Sequence, residues 1–111
     1  MKGDDALLLD MLLAAQDARA FVATLDWPAF AASRLHQSAV IRALEVLGEA
    51  ASKVAPVVRD RHPDLPWRQM IGMRHRLIHA YGEVRTDIVW EVVQERLPAL
   101  IERLAVLVPP G

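Results

Sequence analysis

Apolar residues in this chain return every three or four positions, and no stretch alternates with a period of two. That spacing makes a stripe down one side of a helix and excludes a sheet as the main framework. The first stripe runs through Leu8, Met11, Ala15, Ala18, Val22 and Leu25. It predicts a helix from Asp4 to near Asp26-Trp27-Pro28, because proline disfavours helical geometry in the residue before it. Asp4 and Asp5 suit the positive N-terminal end of that helix. A second helix is expected from about Phe30 to Val54, through Leu35, Ala39, Ala43, Leu47 and Ala50. A third runs from Pro66 or Trp67 to about His79, with Ala80-Tyr81-Gly82 as its exit. The fourth has Thr86 as N-cap and Val89, Val93, Leu97, Leu100, Leu104 and Leu107 as its stripe, with Pro98 kinking it. Residues 56–66 form a proline-rich connector with room for one short extra helical turn. The expectation is an all-α, antiparallel four-helix bundle, one domain over residues 1–111.

Composition narrows the function classes. A core for 111 residues that are 53% hydrophobic but only 5% aromatic must be built from Leu, Val and Ala. Without cysteine there is no disulfide scaffold, no zinc finger and no thiol nucleophile. No apolar run reaches the roughly 18 residues of a membrane span, and acids within the first ten positions argue against a secretory signal. A cytoplasmic protein with no membrane partner is expected. The formal net charge is -1, so contact with a nucleic acid has to come from local segregation of charge. Such segregation exists. Residues 1–30 carry two cations against five carboxylates, whereas residues 59–79 carry five arginines against two aspartates and three of the four histidines.

The chemistry concentrates in Met73-Arg74-His75-Arg76-Leu77-Ile78-His79-Ala80-Tyr81-Gly82. Arg74 and His79 are five residues apart, about 140° of rotation on a straight helix, so they converge only if the helix ends or unwinds at His79. An imidazole can take or give a proton near neutral pH. A guanidinium stays charged and offers a planar fork to phosphate. Together they supply the minimum needed to help a ribose 2′-hydroxyl attack its neighbouring phosphate without a metal. The bland alternative is a set of solvated cations near the negative end of a helix.

His75 and His79 also have the His-x-x-x-His spacing that can hold zinc. The residues between them contain no glutamate, and the adjacent arginines would repel a divalent cation. Neither a metal nor a cofactor is expected. On the second helix, Ser38, Arg42, Glu45 and Glu49 share one face, which either is solvated or packs near the Arg/His cluster and orients it. Trp67 and Trp90 read as core anchors, and His36 and His62 as surface residues without a partner.

Several segments, in order, carry a resemblance: Gln37-Ser38-Ala39-Val40-Ile41-Arg42-Ala43-Leu44-Glu45, Leu47-Gly48-Glu49-Ala50, Pro66-Trp67, Gly72-Met73-Arg74, Leu77-Ile78-His79-Ala80-Tyr81 and Ile88-Val89-Trp90. Together they resemble the HepT-type branch of the HEPN superfamily (higher eukaryotes and prokaryotes nucleotide-binding). The resemblance implies a helical homodimer with its Arg-x4-His segments facing a shared cleft. It further implies a metal-independent ribonuclease toxin, with RNA and no DNA as substrate. Arg74 and His79 would be the catalytic pair, with His75, Arg76 and Glu49 supporting the cleft. Tyr81 would accept AMP from a minimal nucleotidyltransferase antitoxin. His75 stands where the family often has Asn or Asp, which leaves proton transfer open between His75 and His79. The alternative is a noncatalytic nucleotide- or RNA-binding helical module that serves a nucleotidyltransferase partner.

Overall fold

The computed structural model describes residues 3–77 and 83–109, and all regular structure among them is helical. In chain order the elements are α1 (Asp4–Phe21), α2 (Trp27–Ala31), α3 (Arg34–Lys53), α4 (Pro56–Arg61), α5 (Trp67–Ile71), α6 (Met73–Leu77), α7 (Thr86–Glu91), a π-helical turn (Val92–Arg96) and α8 (Leu97–Leu107). The all-α expectation holds. The four expected units are present as α1, α3, the pair α5 and α6, and the composite of α7, π-turn and α8. Helix α4 supplies the extra turn expected in the 56–66 connector.

The differences lie at the breaks. Asp26-Trp27-Pro28, read as the end of the first helix, instead starts α2. The Asp26 carboxylate accepts the backbone N–H of Ala29 at 3.0 Å, and Pro28 sits in the first turn, where its missing N–H costs nothing. Helix α3 therefore begins at Arg34 rather than near Phe30, capped by Ser33, whose Oγ accepts from the His36 N–H at 3.3 Å. The His36 ring lies 2.6 Å from the same Oγ through Nδ1, so His36 is a half-buried member of the cap and not a partnerless surface residue. Gln37 fastens the junction by donating from Nε2 to the carbonyls of Phe30 and Ala31. At the other end of the chain, Thr86 is the first residue of α7, and Arg85 occupies the cap position with no side-chain cap.

The core is entirely apolar among the described residues. Helices α1 and α3 form its most extensive contact, with Met11, Ala15 and Ala18 meeting a face of α3 built from Val40, Leu44, Leu47 and Ala51, all fully buried. Small side chains let the two backbones approach, which is what the alanine-rich sequence anticipates. Phe30 joins Trp27 and Trp90 in an aromatic trio with ring centroids 5.2 to 6.4 Å apart, pinning α2 to α7. Trp90 and Trp67 are both packed against the core, as expected. The Trp67 Nε1 donates to the carbonyl of His62 at 2.9 Å, which gives that connector residue a defined place.

Ahead of Pro98 the fourth unit is interrupted by the π-turn. The N–H of Leu97 reaches the carbonyl of Val92, one residue further back than in an α-helix. The Val93 carbonyl accepts instead from Arg19 Nη1 at 3.4 Å, and the same guanidinium donates to Gln94 Oε1 at 3.1 Å. Arg19 thus ties the last turn of α1 to the π-turn.

Candidate functional site

Helix α6 is five residues long and buries Met73 and Leu77, four apart on one side. That leaves Arg74, His75 and Arg76 exposed. A continuous third helix would have carried these residues on from α5. Instead the helix is interrupted at Gly72, whose N–H closes the end of α5, and α6 starts at Met73.

What brings α6 to α3 is Gly48. An ideal Cβ built on Gly48 would lie 2.5 Å from the Met70 carbonyl oxygen, so α5 packs directly onto the backbone of α3 there. Glu45, one turn before Gly48 on α3, meets Arg74 with Oε2 3.1 Å from Nη1. The Glu45 side chain is 26% exposed and that of Arg74 68% exposed. The carboxylate is therefore the fixed partner, held by a long helix, and the guanidinium projects from it into solvent. A pair this exposed stabilises the fold by at most about 1 kcal/mol, so its consequence is orientation. One N–H group of Arg74 is engaged, and the rest of the fork stays available to an anion.

The two are walls of a hollow of about 250 Å³ that Glu49, Ser52 and Ile71 also line. The face of α3 singled out from sequence is thus divided. Glu45 orients Arg74. Glu49 lines the same hollow but pairs with Lys53 at 3.6 Å, and Arg42 lines, with Asp10 and Lys53, a larger hollow between α1 and α3. His75 is exposed between the two arginines, and Arg76 lies on the side of α6 away from this hollow, facing α8. His79 and Tyr81, like Gly82, lie outside the described residues.

The segment that leads into α7 closes in beside α6. The backbone N–H of Arg85 donates to the Leu77 carbonyl at 2.8 Å, which joins the residues on either side of 78–82. The Arg85 side chain, which the sequence reading did not single out, grips Asp87 with two contacts of 3.3 and 3.2 Å. That hydrogen bonding holds the Asp87 carboxyl below its usual range and raises Arg85 further. The only advance signal was an arginine two residues before an aspartate at a helix start. Among the described residues, no three His, Cys, Asp or Glu side chains gather in the way a metal site requires.

An anchored, solvent-facing arginine with a second arginine two residues on in the same short helix can hold a phosphate. Comparison with known families decides what kind of protein presents it: residues 11–107 match the family described as ribonuclease HepT-like. The chain belongs to this family. Several HepT-like relatives are substantial matches. A protein of Methanocaldococcus jannaschii described as an RNase is 33% identical over 102 residues, covering 92% of this chain and 94% of that one. A second from the same organism, also described as an RNase, is 36% identical over 95 residues, or 86% of this chain and 82% of the other. A Thermococcus cleftensis protein described as ribonuclease HepT is 44% identical over 71 residues, 64% of each chain. No solved structure matches the chain significantly. The family is a ribonuclease family of the HEPN type, which agrees with the resemblance read from the sequence, and the segment from α3 to α7 that carries the site lies wholly inside the matched region.

Proposed function

We propose that this chain is a metal-independent endoribonuclease, the toxin of a toxin–antitoxin pair, folded as a single domain and working as a homodimer in the cytoplasm. Arg74 clamps the scissile phosphate, and His79 takes the proton from the ribose 2′-hydroxyl. The 2′-oxygen bonds to phosphorus as the bond to the 5′-oxygen breaks, and the leaving oxygen is protonated. The products carry a 2′,3′-cyclic phosphate and a 5′-hydroxyl. Negative charge accumulates on the phosphoryl oxygens in the transition state, where a guanidinium fixed in advance contributes most. His75 stands exposed beside Arg74, Arg76 adds positive charge on the far side of α6, and Glu49 shapes the hollow beside Arg74. Tyr81 is the acceptor for AMP delivered by a minimal nucleotidyltransferase antitoxin. An adenylylated phenol two residues from His79 adds bulk and a negative phosphate to a site that must admit RNA.

The observation that carries this reading is the Glu45–Arg74 pair at 3.1 Å, which fixes a guanidinium while leaving it 68% exposed, within a ribonuclease family match. The test is incubation of unmodified protein with labelled RNA in EDTA, beside His79→Ala, with circular-dichroism melts of both. Cleavage to cyclic-phosphate ends, lost in a variant that melts normally, is the expected result. Ends bearing a 5′-phosphate, or an absolute need for Mg²⁺, would reject the mechanism. Salt-dependent binding without cleavage would favour the noncatalytic module that serves a nucleotidyltransferase.

A further inference from the structure

Helix α6 carries its arginines on two sides. Arg76, two residues and about 200° round from Arg74, lines a second hollow of about 370 Å³ between α5, the π-turn and α8. Met73 lines both hollows, so a single side chain forms the partition between them. The floor of the second is apolar, made by Met70, Met73, Leu97 and Leu100, and its rim carries Arg76, Arg96 and Arg103 against the carboxylates of Asp64 and Glu95. Arg96 is partly neutralised by Glu91 at 3.7 Å. Arg103 donates to the backbone carbonyl of Asp64 at 2.8 Å. Among the described residues, neither Arg76 nor Arg103 has a carboxylate within ion-pairing distance.

Two guanidinium groups that keep their charge, set at the edge of an apolar floor, match a ligand with a flat apolar face and an anionic group attached to it. A nucleotide has that composition, and the hollow is within the size range of small-molecule sites. The π-turn shapes one wall, since Val92, Glu95 and Arg96 line it; such widened turns recur at functional sites. We propose that this groove is a subsite for a further nucleotide of the RNA strand whose scissile phosphate meets Arg74. The base lies in the apolar-lined groove beside the exposed Ala99, and its phosphate lies between Arg76 and Arg103. The assignment rests on the ribonuclease reading above and extends it from one phosphate to a second contact on the same strand.

The test measures fluorescence anisotropy of a labelled, noncleavable 2′-O-methyl oligoribonucleotide across a salt series. Arg103→Ala should weaken binding about tenfold and reduce the slope of log affinity against log salt by about 0.7, the value of one phosphate contact on a single strand. Arg103→Lys should restore the slope. Ala99→Trp, at an exposed position that lines the groove, should weaken binding by filling it while leaving the slope unchanged. Wild-type affinity and slope in Arg103→Ala and Ala99→Trp, with RNA still cleaved by the wild type, would overturn the groove and leave the ribonuclease reading standing. Wild-type protein that neither binds nor cleaves RNA would remove both.

Discussion

At Gly48 the replacement of one hydrogen by a methyl group reaches the site. A glycine-to-alanine change inside a helix ordinarily gains about 1 kcal/mol, because alanine loses less backbone entropy. Here the new Cβ would sit 2.5 Å from the Met70 carbonyl oxygen and 3.6 Å from its carbon. That neighbour is backbone, so no rotamer change relieves the clash, and α5 has to move away from α3. Overpacking of this kind costs about 1–3 kcal/mol, enough to reverse the usual sign. Gly48→Ala should therefore lower the urea midpoint with an unchanged m-value, whereas a raised midpoint would show that α5 is not held by this contact. The same residue explains which part of the site could be read from sequence. Glu45 and Glu49 share one face of α3, and their spacing gives each an equal claim on the Arg/His cluster. The choice is made by where Gly48 lets α5 and α6 land, a contact between segments more than twenty residues apart. Glu45 is the partner of Arg74 for that reason, and no local pattern could have selected it.

Among the elements, the long ones were legible and the joints were not. Stripes of apolar residues identified α1, α3 and the α7-to-α8 unit, because burial against the core is what a period of 3.6 encodes. Short helices carry too few residues for a period, so α2 depends on the Asp26 cap and Pro28, signals that from sequence alone read equally well as a break. An irregularity at Pro98 was predictable and its form, a π-turn, was not. A missing N–H says that a bond is lost, but the acceptor's new partner comes from α1, 74 residues away in the chain. Arg19→Met keeps the aliphatic stem and removes the donors to Val93 and Gln94. A part-buried carbonyl left without its partner costs about 1 kcal/mol, and the cation lost from the last turn of α1 adds a few tenths. For a chain of this length the unfolding temperature should fall by about 4–8 °C in calorimetry. An unchanged value would mean that water satisfies Val93 as well as Arg19 does.

Over the whole molecule, a net charge of -1 and a core without buried polar side chains among the described residues mean that contact with RNA depends on particular surface regions. Arg74, His75 and Arg76 are exposed on a single copy, and one exposed ion pair does little to exclude water from a reacting phosphate. Electrostatic stabilisation of a transition state grows as solvent is removed from the site. If two copies face each other across these segments, as proposed, the second copy supplies that exclusion and doubles the local cation density. Catalysis then belongs to the dimer, and activity must follow the monomer–dimer equilibrium. Cleavage per protomer should stay constant while sedimentation reports twice 12.4 kDa, and should fall with dilution once the single-chain mass appears, the rate approaching the square of protein concentration. RNA long enough to touch both copies should shift that transition to lower protein concentration, because a ligand that binds the dimer stabilises it by mass action. Constant cleavage per protomer down to concentrations at which only the 12.4 kDa species sediments would instead give each copy a complete site and remove the shared cleft from the mechanism.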